Sequence, residues 1–357
     1  MNNDRKIIHL KQLAEYRDKL HREPRLKNLF LELTLRCNEN CLHCGSRCGD
    51  NQYTEQPPEV YYGFLDKIKK DFSGELPMLC ITGGEPLLYK DFFSVMEYAH
   101  KLGFVWGMTS NGTLIDDALA KRLVQCGMAT ISISIDGLQK THDEIRRTPG
   151  GYDAAVRGIR ALVSNGGFQH IQVTTVVNKR NIGELDELYK IMLGLGIRSW
   201  RVINIEPIGR ARENEDLLLT PEDYRYMFDF IKERRGGKMP VVYGCQHYLG
   251  LEYEREVRDW YYLCNAGIYT ASIMSNGDIG ACLDIERRAE TIEGNILKDD
   301  FTDIWYNGFK YFRQNLSNLN DKCRACGSKE FCNGGSFHSW DYDNAEPLVC
   351  FKDILFK

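Results

Sequence analysis

Short apolar segments alternate with helix-length amphipathic segments from residue 29 to about residue 235. Six apolar segments have the length of buried strands, at residues 29–35, 78–82, 105–109, 131–135, 171–177 and 199–205. The segments between them carry apolar residues three and four positions apart, and several end at glycine. Six β–α units in series predict an α/β fold, with a parallel sheet or barrel and helices outside it. Ligands of such folds bind at the carboxyl ends of the strands.

The alternation stops after residue 236, and the last third of the chain has a different character. Short strands, glycine turns and paired cysteines replace the β–α units. A small segment with few apolar runs usually needs a metal to hold its fold. We therefore predict a boundary near residues 236–244, with one domain over residues 29–240 and a small metal-binding domain over residues 241–357.

The composition and the N-terminal segment indicate a protein of the cytoplasm. Residues 1–28 predict one amphipathic helix that packs against the barrel, and their frequent charges exclude a signal peptide. No apolar run approaches the ~20 residues that a membrane span needs. The formal net charge is −4 without a long basic block, so neither nucleic acid nor a membrane is an expected partner. In the reducing cytoplasm, 13 cysteines are more typical of metal ligands than of disulfides.

Three of the cysteines lie on one short loop. Cys37, Cys41 and Cys44 form a C-x3-C-x2-C motif that begins two residues after the first predicted strand. Three thiolates so arranged can hold three irons of a cubane cluster and leave the fourth iron open. Cys48 could instead complete a closed zinc site with four thiolates, and the spacing alone leaves that alternative open.

Polar groups also follow the second and fourth predicted strands. After strand two, Gly83 and Gly84 allow close approach of a ligand to the backbone, and Glu85 offers a carboxylate to an ammonium group. After strand four, Ser134 and Asp136 offer a hydroxyl and a carboxylate suited to a ribose. Taken singly, these features are also compatible with an ordinary turn and with a strand that has a polar face.

Together, the cysteine loop and the G-G-E-P segment resemble those of radical S-adenosylmethionine (SAM) enzymes, over roughly residues 29–235. The resemblance implies a partial (β/α)6 barrel whose loop cysteines ligate a [4Fe–4S] cluster, with SAM chelating the open iron. It implies a cofactor-binding set of Gly83, Gly84, Glu85, Ser134, Asp136 and Arg146, in which Arg146 pairs with a carboxylate. His43 departs from the family, which more often has an aromatic residue at that position, and Cys48 has no family role.

The C-terminal cysteines resemble those of the SPASM domain over about residues 245–350. This domain carries auxiliary Fe–S clusters in radical SAM enzymes that modify peptides, and a zinc ribbon is the alternative. The resemblance implies one cluster on Cys323, Cys326, Cys332 and Cys350. It implies a second on Cys264 and Cys282, with Cys245 as a third ligand or, alternatively, as a buried core thiol.

One position of the SPASM pattern differs in this chain. Ser336 stands where that pattern has a cysteine. The second auxiliary cluster would therefore keep an open iron, or be closed by Ser336, by another side chain or by substrate.

These resemblances imply an enzyme that cleaves SAM reductively and uses the 5′-deoxyadenosyl radical to abstract hydrogen from a residue of a ribosomally made peptide. A crosslink or another oxidation is the expected outcome. The expected partners are the precursor peptide, an electron donor of the flavodoxin or ferredoxin type, and a leader-binding protein on another chain. Three alternatives are formylglycine formation as in anaerobic sulfatase maturases, a small-molecule dehydrogenase, and an Fe–S scaffold without SAM chemistry. The sequence assigns no catalytic acid or base.

Overall fold

The structure is a computed structural model that describes residues 2–50 and 54–355, and it is built on one sheet of ten strands. Seven strands follow one another in chain order, each parallel to the next. They are β1 (Asn28–Glu32), β2 (Met78–Thr82), β3 (Trp106–Ser110), β4 (Met128–Ser134), β5 (His170–Val177), β6 (Trp200–Asn204) and β7 (Val241–Tyr243). The first six lie within a few residues of the predicted strands, so the predicted α/β class is confirmed.

The C-terminal part of the chain extends the same sheet beyond β1. β8 (Thr270–Ile273) pairs in parallel with β1, and β9 (Asp278–Gly280) and β10 (Ile292–Asn295) follow in antiparallel order. A separate two-stranded ribbon joins β11 (Trp340–Asp341) to β12 (Glu346–Pro347). The predicted boundary near residues 236–244 therefore does not divide the sheet, since strands from both sides of it share one hydrogen-bonded array.

Helices connect the parallel strands, precede the first of them and follow the last strand of the sheet. They are α1 (Asn3–Arg22), α2 (Pro58–Asp71), α3 (Phe92–Lys101), α4 (Asp117–Gln125), α5 (Gln139–Arg146), α6 (Gly151–Asn165), α7 (Leu185–Gly194), α8 (Pro221–Arg234), α9 (Gly250–Tyr253), α10 (Phe301–Asn307), α11 (Asp321–Arg324), α12 (Lys329–Cys332) and α13 (Phe351–Leu355). Side chains alternate along each strand, so β2 buries Leu79 and Ile81 in the main core and turns Cys80 to the opposite face. No helix of the described ranges is long and apolar enough to cross a membrane.

The sheet curls so that its inner face encloses a space. Arg201 on β6 and Cys80 on β2 are electrostatic neighbours although three strands separate them. In the described ranges β7 and β10 do not pair with each other, so the array remains an open, partial barrel.

The N-terminal helix packs on the C-terminal segment. Leu10 of α1 is buried in an aromatic cluster with Tyr248, Tyr261 and Tyr262. The ammonium of Lys6, itself almost fully buried, pairs with Glu256 at 2.8 Å. The expectation that this helix packs against the barrel is therefore wrong, because its apolar face meets the aromatic residues that follow β7.

Candidate cofactor site at the carboxyl edge of the sheet

The loop that carries the four N-terminal cysteines connects β1 to α2 and is fixed from two sides. On one side, the Leu42 N–H donates to the Ile145 carbonyl at 2.8 Å. On the other side, Arg210 is almost fully buried and donates to three loop carbonyls, from Nε to Cys41 (2.8 Å), from its N–H to Cys44 (3.1 Å) and from Nη1 to Cys48 (3.2 Å). This residue was not singled out from the sequence. The sequence feature that could have indicated it is a basic residue shortly after the sixth predicted strand.

Cys44 and Cys48 form a hydrogen-bonded pair within the loop. The Cys48 N–H donates to the Cys44 sulfur at 3.4 Å. Donation from the Cys48 thiol outweighs burial and, helped by nearby Arg210 and His43, lowers the pKa of Cys44 to about 5. Burial instead raises the pKa of Cys37 to about 11. Cys44 is therefore the thiol of this loop most readily available as a thiolate ligand.

The spacing of the sulfurs bears on the zinc alternative. A tetrahedral zinc site, with Zn–S distances of about 2.3 Å, needs its sulfurs about 3.8 Å from one another. Within residues 2–50 and 54–355, no group of three donor atoms that lie within 4.8 Å of one another includes a cysteine. No three thiols of the described ranges are thus gathered closely enough for a tetrahedral zinc site, although the Cys48 thiol donates to Cys44.

Gly83 and Gly84 bring the turn after β2 against the chain that leads into the cysteine loop. Gly83 has a φ of +150°, and a Cβ at this residue would lie 2.2 Å from the Thr34 carbonyl oxygen. A Cβ at Gly84 would lie 2.0 Å from the Arg36 carbonyl oxygen. The two glycines therefore allow backbone to pack on backbone here, and this packing sets Glu85 beside the loop.

Glu85 is a fully buried carboxylate. It accepts hydrogen bonds from the Ser110 hydroxyl (3.0 Å to each oxygen) and from the Asn111 N–H (2.9 Å) at the end of β3. No cationic side chain of the described ranges pairs with it, and burial raises its pKa to about 7. Cys37 is an electrostatic neighbour. A buried carboxylate that lacks a counter-charge beside the cysteine loop fits an ammonium group of a bound ligand.

Asp136 and Arg146 lie in an ion-paired network that also holds the cysteine loop. The Arg146 guanidinium donates to Asp136 (2.9 Å) and to Glu39 (2.6 Å), and the His43 ring donates to Asp136 at 2.9 Å. The second Asp136 oxygen accepts from the Val176 N–H at 2.8 Å. Burial alone would raise the pKa of Asp136, but Arg146 and His43 outweigh it and hold the pKa well below its usual range.

The contacts of Asp136 and Arg146 in this network differ from the direct SAM contacts that were expected of them. Asp136 and Arg146 bond to each other and to the loop, so each already has a partner of opposite charge within the protein. His43, the departure from the family pattern, contributes directly to that network. Ser134 is half-buried at the end of β4, and its hydroxyl has no hydrogen-bond partner within the described ranges. Direct contacts of Ser134, Asp136 and Arg146 with SAM stay predictions.

Cys245, Cys264 and Cys282 share one buried region near the end of β6. Asp284 is an electrostatic neighbour of both Cys245 and Cys282, and Cys264 is a neighbour of Cys282. Burial raises the pKa of all three thiols. The structure therefore brings these three predicted ligands together.

Ser336 is fully buried close to this group. Its hydroxyl lies 3.4 Å from the Tyr262 hydroxyl, and Tyr262 has Cys264 and Cys332 as electrostatic neighbours. Ser336 thus lies between the two C-terminal cysteine groups.

The other four C-terminal cysteines line one cavity. They are Cys323, Cys326, Cys332 and Cys350. Lys322, Lys329 and Lys352 line the same cavity and place positive charge near it. Burial, reinforced by the neighbouring thiols, raises the pKa of Cys332 to about 12. Four thiols around one cavity, with cations nearby, are a suitable donor set for an anionic Fe–S cluster.

The fold and the cysteine groups define an α/β protein with one group of cysteines on the loop after its first strand and two groups in its C-terminal part. The family model of the radical SAM superfamily matches residues 31–192, and that of the SPASM iron–sulfur cluster-binding domain matches residues 264–327. The chain is therefore an enzyme that carries a radical SAM superfamily domain and a C-terminal SPASM domain. The two domains support a [4Fe–4S] cluster and SAM as its cofactors.

Two curated relatives cover most of the chain. An AdoMet-dependent heme synthase of Methanosarcina barkeri is 28% identical over 92% of this chain and 97% of its own length. The mycofactocin maturase MftC of Mycolicibacterium smegmatis is 29% identical over 86% of this chain and 77% of its own length.

Two solved structures share the fold. SuiB of Streptococcus suis bound to S-adenosylmethionine aligns with a TM-score of 0.70 at 21% identity, over 88% of this chain and 74% of its own. The enzyme anSMEcpe with bound AdoMet aligns with a TM-score of 0.72 at 19% identity, over 92% of this chain and 94% of its own.

Proposed function

We propose that this enzyme modifies a residue of a ribosomally made peptide by radical SAM chemistry. The observation that carries the proposal is the buried carboxylate of Glu85, which has no cationic partner in the described ranges and neighbours the C-x3-C-x2-C loop. A carboxylate in this position is suited to the amino group of SAM, and the neighbouring thiolates are suited to the iron that SAM chelates. When bound, the cluster and SAM supply a 5′-deoxyadenosyl radical that abstracts hydrogen from the substrate.

The protein's own part is to hold the loop and exclude water around it. Arg210 fixes three carbonyls of the loop, and the network of Arg146, Asp136, His43 and Glu39 fixes its other side. Such preorganisation keeps the reacting groups within the short distances that hydrogen abstraction needs. In this proposal, Ser134 contacts the ribose, and Asp136 and Arg146 contribute mainly by positioning the loop.

Arg201 provides a candidate contact for the substrate inside the barrel. Its side chain lies on the inner face of β6, and Nε donates to Thr174 Oγ1 at 3.0 Å. No carboxylate of the described ranges forms an ion pair with it, and burial lowers its pKa. Asp284 attracts this guanidinium electrostatically without forming an ion pair, so the group can still pair with a carboxylate that a substrate brings.

The two C-terminal cysteine groups would hold two auxiliary clusters. Cys323, Cys326, Cys332 and Cys350 would supply four ligands to one cluster, and Cys245, Cys264 and Cys282 three ligands to the other. These clusters are suited to accept an electron from a product radical, as a net oxidation requires. An electron donor of the flavodoxin or ferredoxin type and a separate leader-binding protein complete the proposed set of partners.

Two proteins of similar sequence or fold support a peptide as the substrate. MftC is named as a maturase, and SuiB has been solved with its precursor peptide SuiA, in a structure that covers 95% of this chain with a TM-score of 0.68. A second candidate substrate is a tetrapyrrole, because the chain spans 97% of a heme synthase but only 77% of MftC. Both substrate classes can present a carboxylate to Arg201.

The test compares the two classes directly. Reconstituted, anaerobic enzyme with dithionite and SAM is given either peptides encoded by short reading frames beside its gene or an iron tetrapyrrole with propionate side chains. We expect 5′-deoxyadenosine together with a mass change in one peptide. Conversion of the tetrapyrrole with every peptide unchanged would replace the first candidate by the second. Absence of 5′-deoxyadenosine in all reactions would contradict both.

A further inference from the structure

Three side chains without a place in the radical chemistry converge between the barrel and the C-terminal segment. Glu206 lies just after β6, His247 follows β7, and His338 lies between α12 and β11. One potential ligand atom from each lies within 4.8 Å of the other two. Glu206 and His247 are 8% and 2% exposed, and His338 is partly buried. Residues separated by up to 132 positions thus bring two imidazoles and one carboxylate to one point.

The carboxylate and one imidazole of this group are held in fixed orientations. Glu206 Oε1 accepts from His247 Nε2 (2.6 Å) and from Asn204 Nδ2 (2.7 Å), and Oε2 accepts from the Ser339 hydroxyl (2.8 Å). The Tyr243 hydroxyl in turn donates a hydrogen bond to Asn204 Oδ1. Supporting hydrogen bonds of this kind orient carboxylate ligands in metal sites.

His338 completes the group without another task. Its ring lies 5.3 Å from the His247 ring, centroid to centroid. Neither of its ring nitrogens has a hydrogen-bond partner within residues 2–50 and 54–355. The His338 imidazole lies near a buried carboxylate and a second imidazole but forms a hydrogen bond with neither. One of its nitrogens is therefore free to bind a further ligand.

We propose that Glu206, His247 and His338 bind one divalent transition-metal ion. Two imidazoles and a carboxylate are a donor set typical of zinc and ferrous sites, and differ from the thiolates that hold Fe–S clusters. The ion would neutralise the Glu206 carboxylate, which has no Lys or Arg partner in the described ranges.

The position of the site indicates what the ion would do. His247 lies two residues after Cys245 and also lines the cavity of Cys323, Cys326, Cys332 and Cys350. His338 follows Cys332 by six residues, and Glu206 continues strand β6. One ion on these three side chains would fix both C-terminal cysteine groups to the end of a barrel strand.

The test measures Zn²⁺ binding to the holoenzyme, with all clusters reconstituted and without SAM. Zinc and iron are quantified by mass spectrometry after equilibration against a competing chelator. We expect one zinc per chain in the wild type. His338→Gln is the main variant, because His338 makes no hydrogen bond that its loss would break, and Glu206→Gln is the second. His170→Gln, at an exposed histidine on β5, is the matched control.

The expected loss of zinc affinity is at least about 100-fold in both variants, since even a supporting residue is worth about 10- to 100-fold in a metal site. The control should bind like the wild type, and cluster iron should be the same in all four proteins. Anomalous scattering at the zinc edge should place the ion between the three side chains. Wild-type protein that takes up no zinc, or zinc binding that is equal in wild type and His338→Gln, would overturn the proposal. Because the readout is metal content, its failure would leave the proposed function untouched.

Discussion

Replacing Glu85 by glutamine should weaken SAM binding while it stabilises the protein that has no SAM. The substitution keeps the shape of the side chain, and the amide oxygen can still accept from Ser110 and Asn111. It removes the charge that would face the SAM ammonium. Because a hydrogen bond to a charged group contributes about 1.5–3 kcal/mol, we expect binding weaker by roughly 10- to 150-fold.

The effect on stability follows from the buried charge. Burial raises the pKa of Glu85 from 4.5 to about 7. The unfolded chain loses this proton near pH 4.5 and the folded protein near pH 7, so ionisation of Glu85 costs folding free energy that grows as the pH rises between these values. Above pH 7 the full cost is on the order of 3 kcal/mol. Glu85→Gln should therefore unfold at a higher temperature than wild type at pH 8, and the difference should shrink towards pH 5.

The assay pairs anaerobic calorimetric titration of SAM at pH 8 with thermal unfolding at pH 5, 6, 7 and 8 in the absence of SAM. Glu15→Gln, at an exposed position in the middle of α1, is the matched control and should change neither quantity. Unchanged SAM affinity in Glu85→Gln would refute the contact with the ammonium. If the unfolding temperatures of the wild type and Glu85→Gln changed in parallel with pH, the cost assigned to the buried Glu85 charge would be refuted.

Four further substitutions, one of them with a control, test the cysteine groups and the residue that supports their loop. Cys48→Ser should leave 5′-deoxyadenosine formation largely intact, whereas Cys44→Ser should abolish it; equal loss in both would make Cys48 a ligand. Arg210→Ala removes the two side-chain hydrogen bonds to the Cys41 and Cys48 carbonyls and the ion pair with Asp50, and it should lower both cluster iron and SAM cleavage several-fold, with exposed Arg212→Ala as the unaffected control. Ser336→Cys should close an open auxiliary cluster, so that substrate turnover falls while uncoupled SAM cleavage persists. Unchanged turnover and an unchanged cluster spectrum in that variant would rule out the open site.

The barrel strands could be predicted because each is specified locally. A buried parallel strand appears as a short apolar run between amphipathic helices, and β2 matches its predicted bounds of residues 78–82. The pairing of β8 with β1 was not predictable in this way. It joins residues more than 200 positions apart, and nothing in the run Thr270–Ile273 indicates which strand it will pair with.

The same limit applies to the packing of α1. Its apolar face could be predicted from the sequence, and Leu10 and Leu20 of that face are buried. The residues against which this face packs could not be predicted, because the aromatic residues near Tyr261 are distant in sequence and follow no pattern related to α1.

Site residues were predictable where a motif has fixed spacing. The loop cysteines and Glu85 follow from local patterns at strand ends. The network of Asp136, Arg146, Glu39 and His43 depends on side-chain geometry between separate elements, so neither the part of Glu39 nor the pairing of the other three was predicted. Glu206, His247 and His338 belong to no spaced motif and become a group only in the folded chain.

The production of 5′-deoxyadenosine tests the central claim most directly. Reconstituted wild-type enzyme and a variant with Cys37, Cys41 and Cys44 all replaced by alanine are incubated with SAM and dithionite without oxygen. Iron bound by the C-terminal cysteines serves as the control that the variant still folds. The account predicts 5′-deoxyadenosine from the wild type and none above background from a variant that retains that iron. Undiminished 5′-deoxyadenosine from the variant would contradict it.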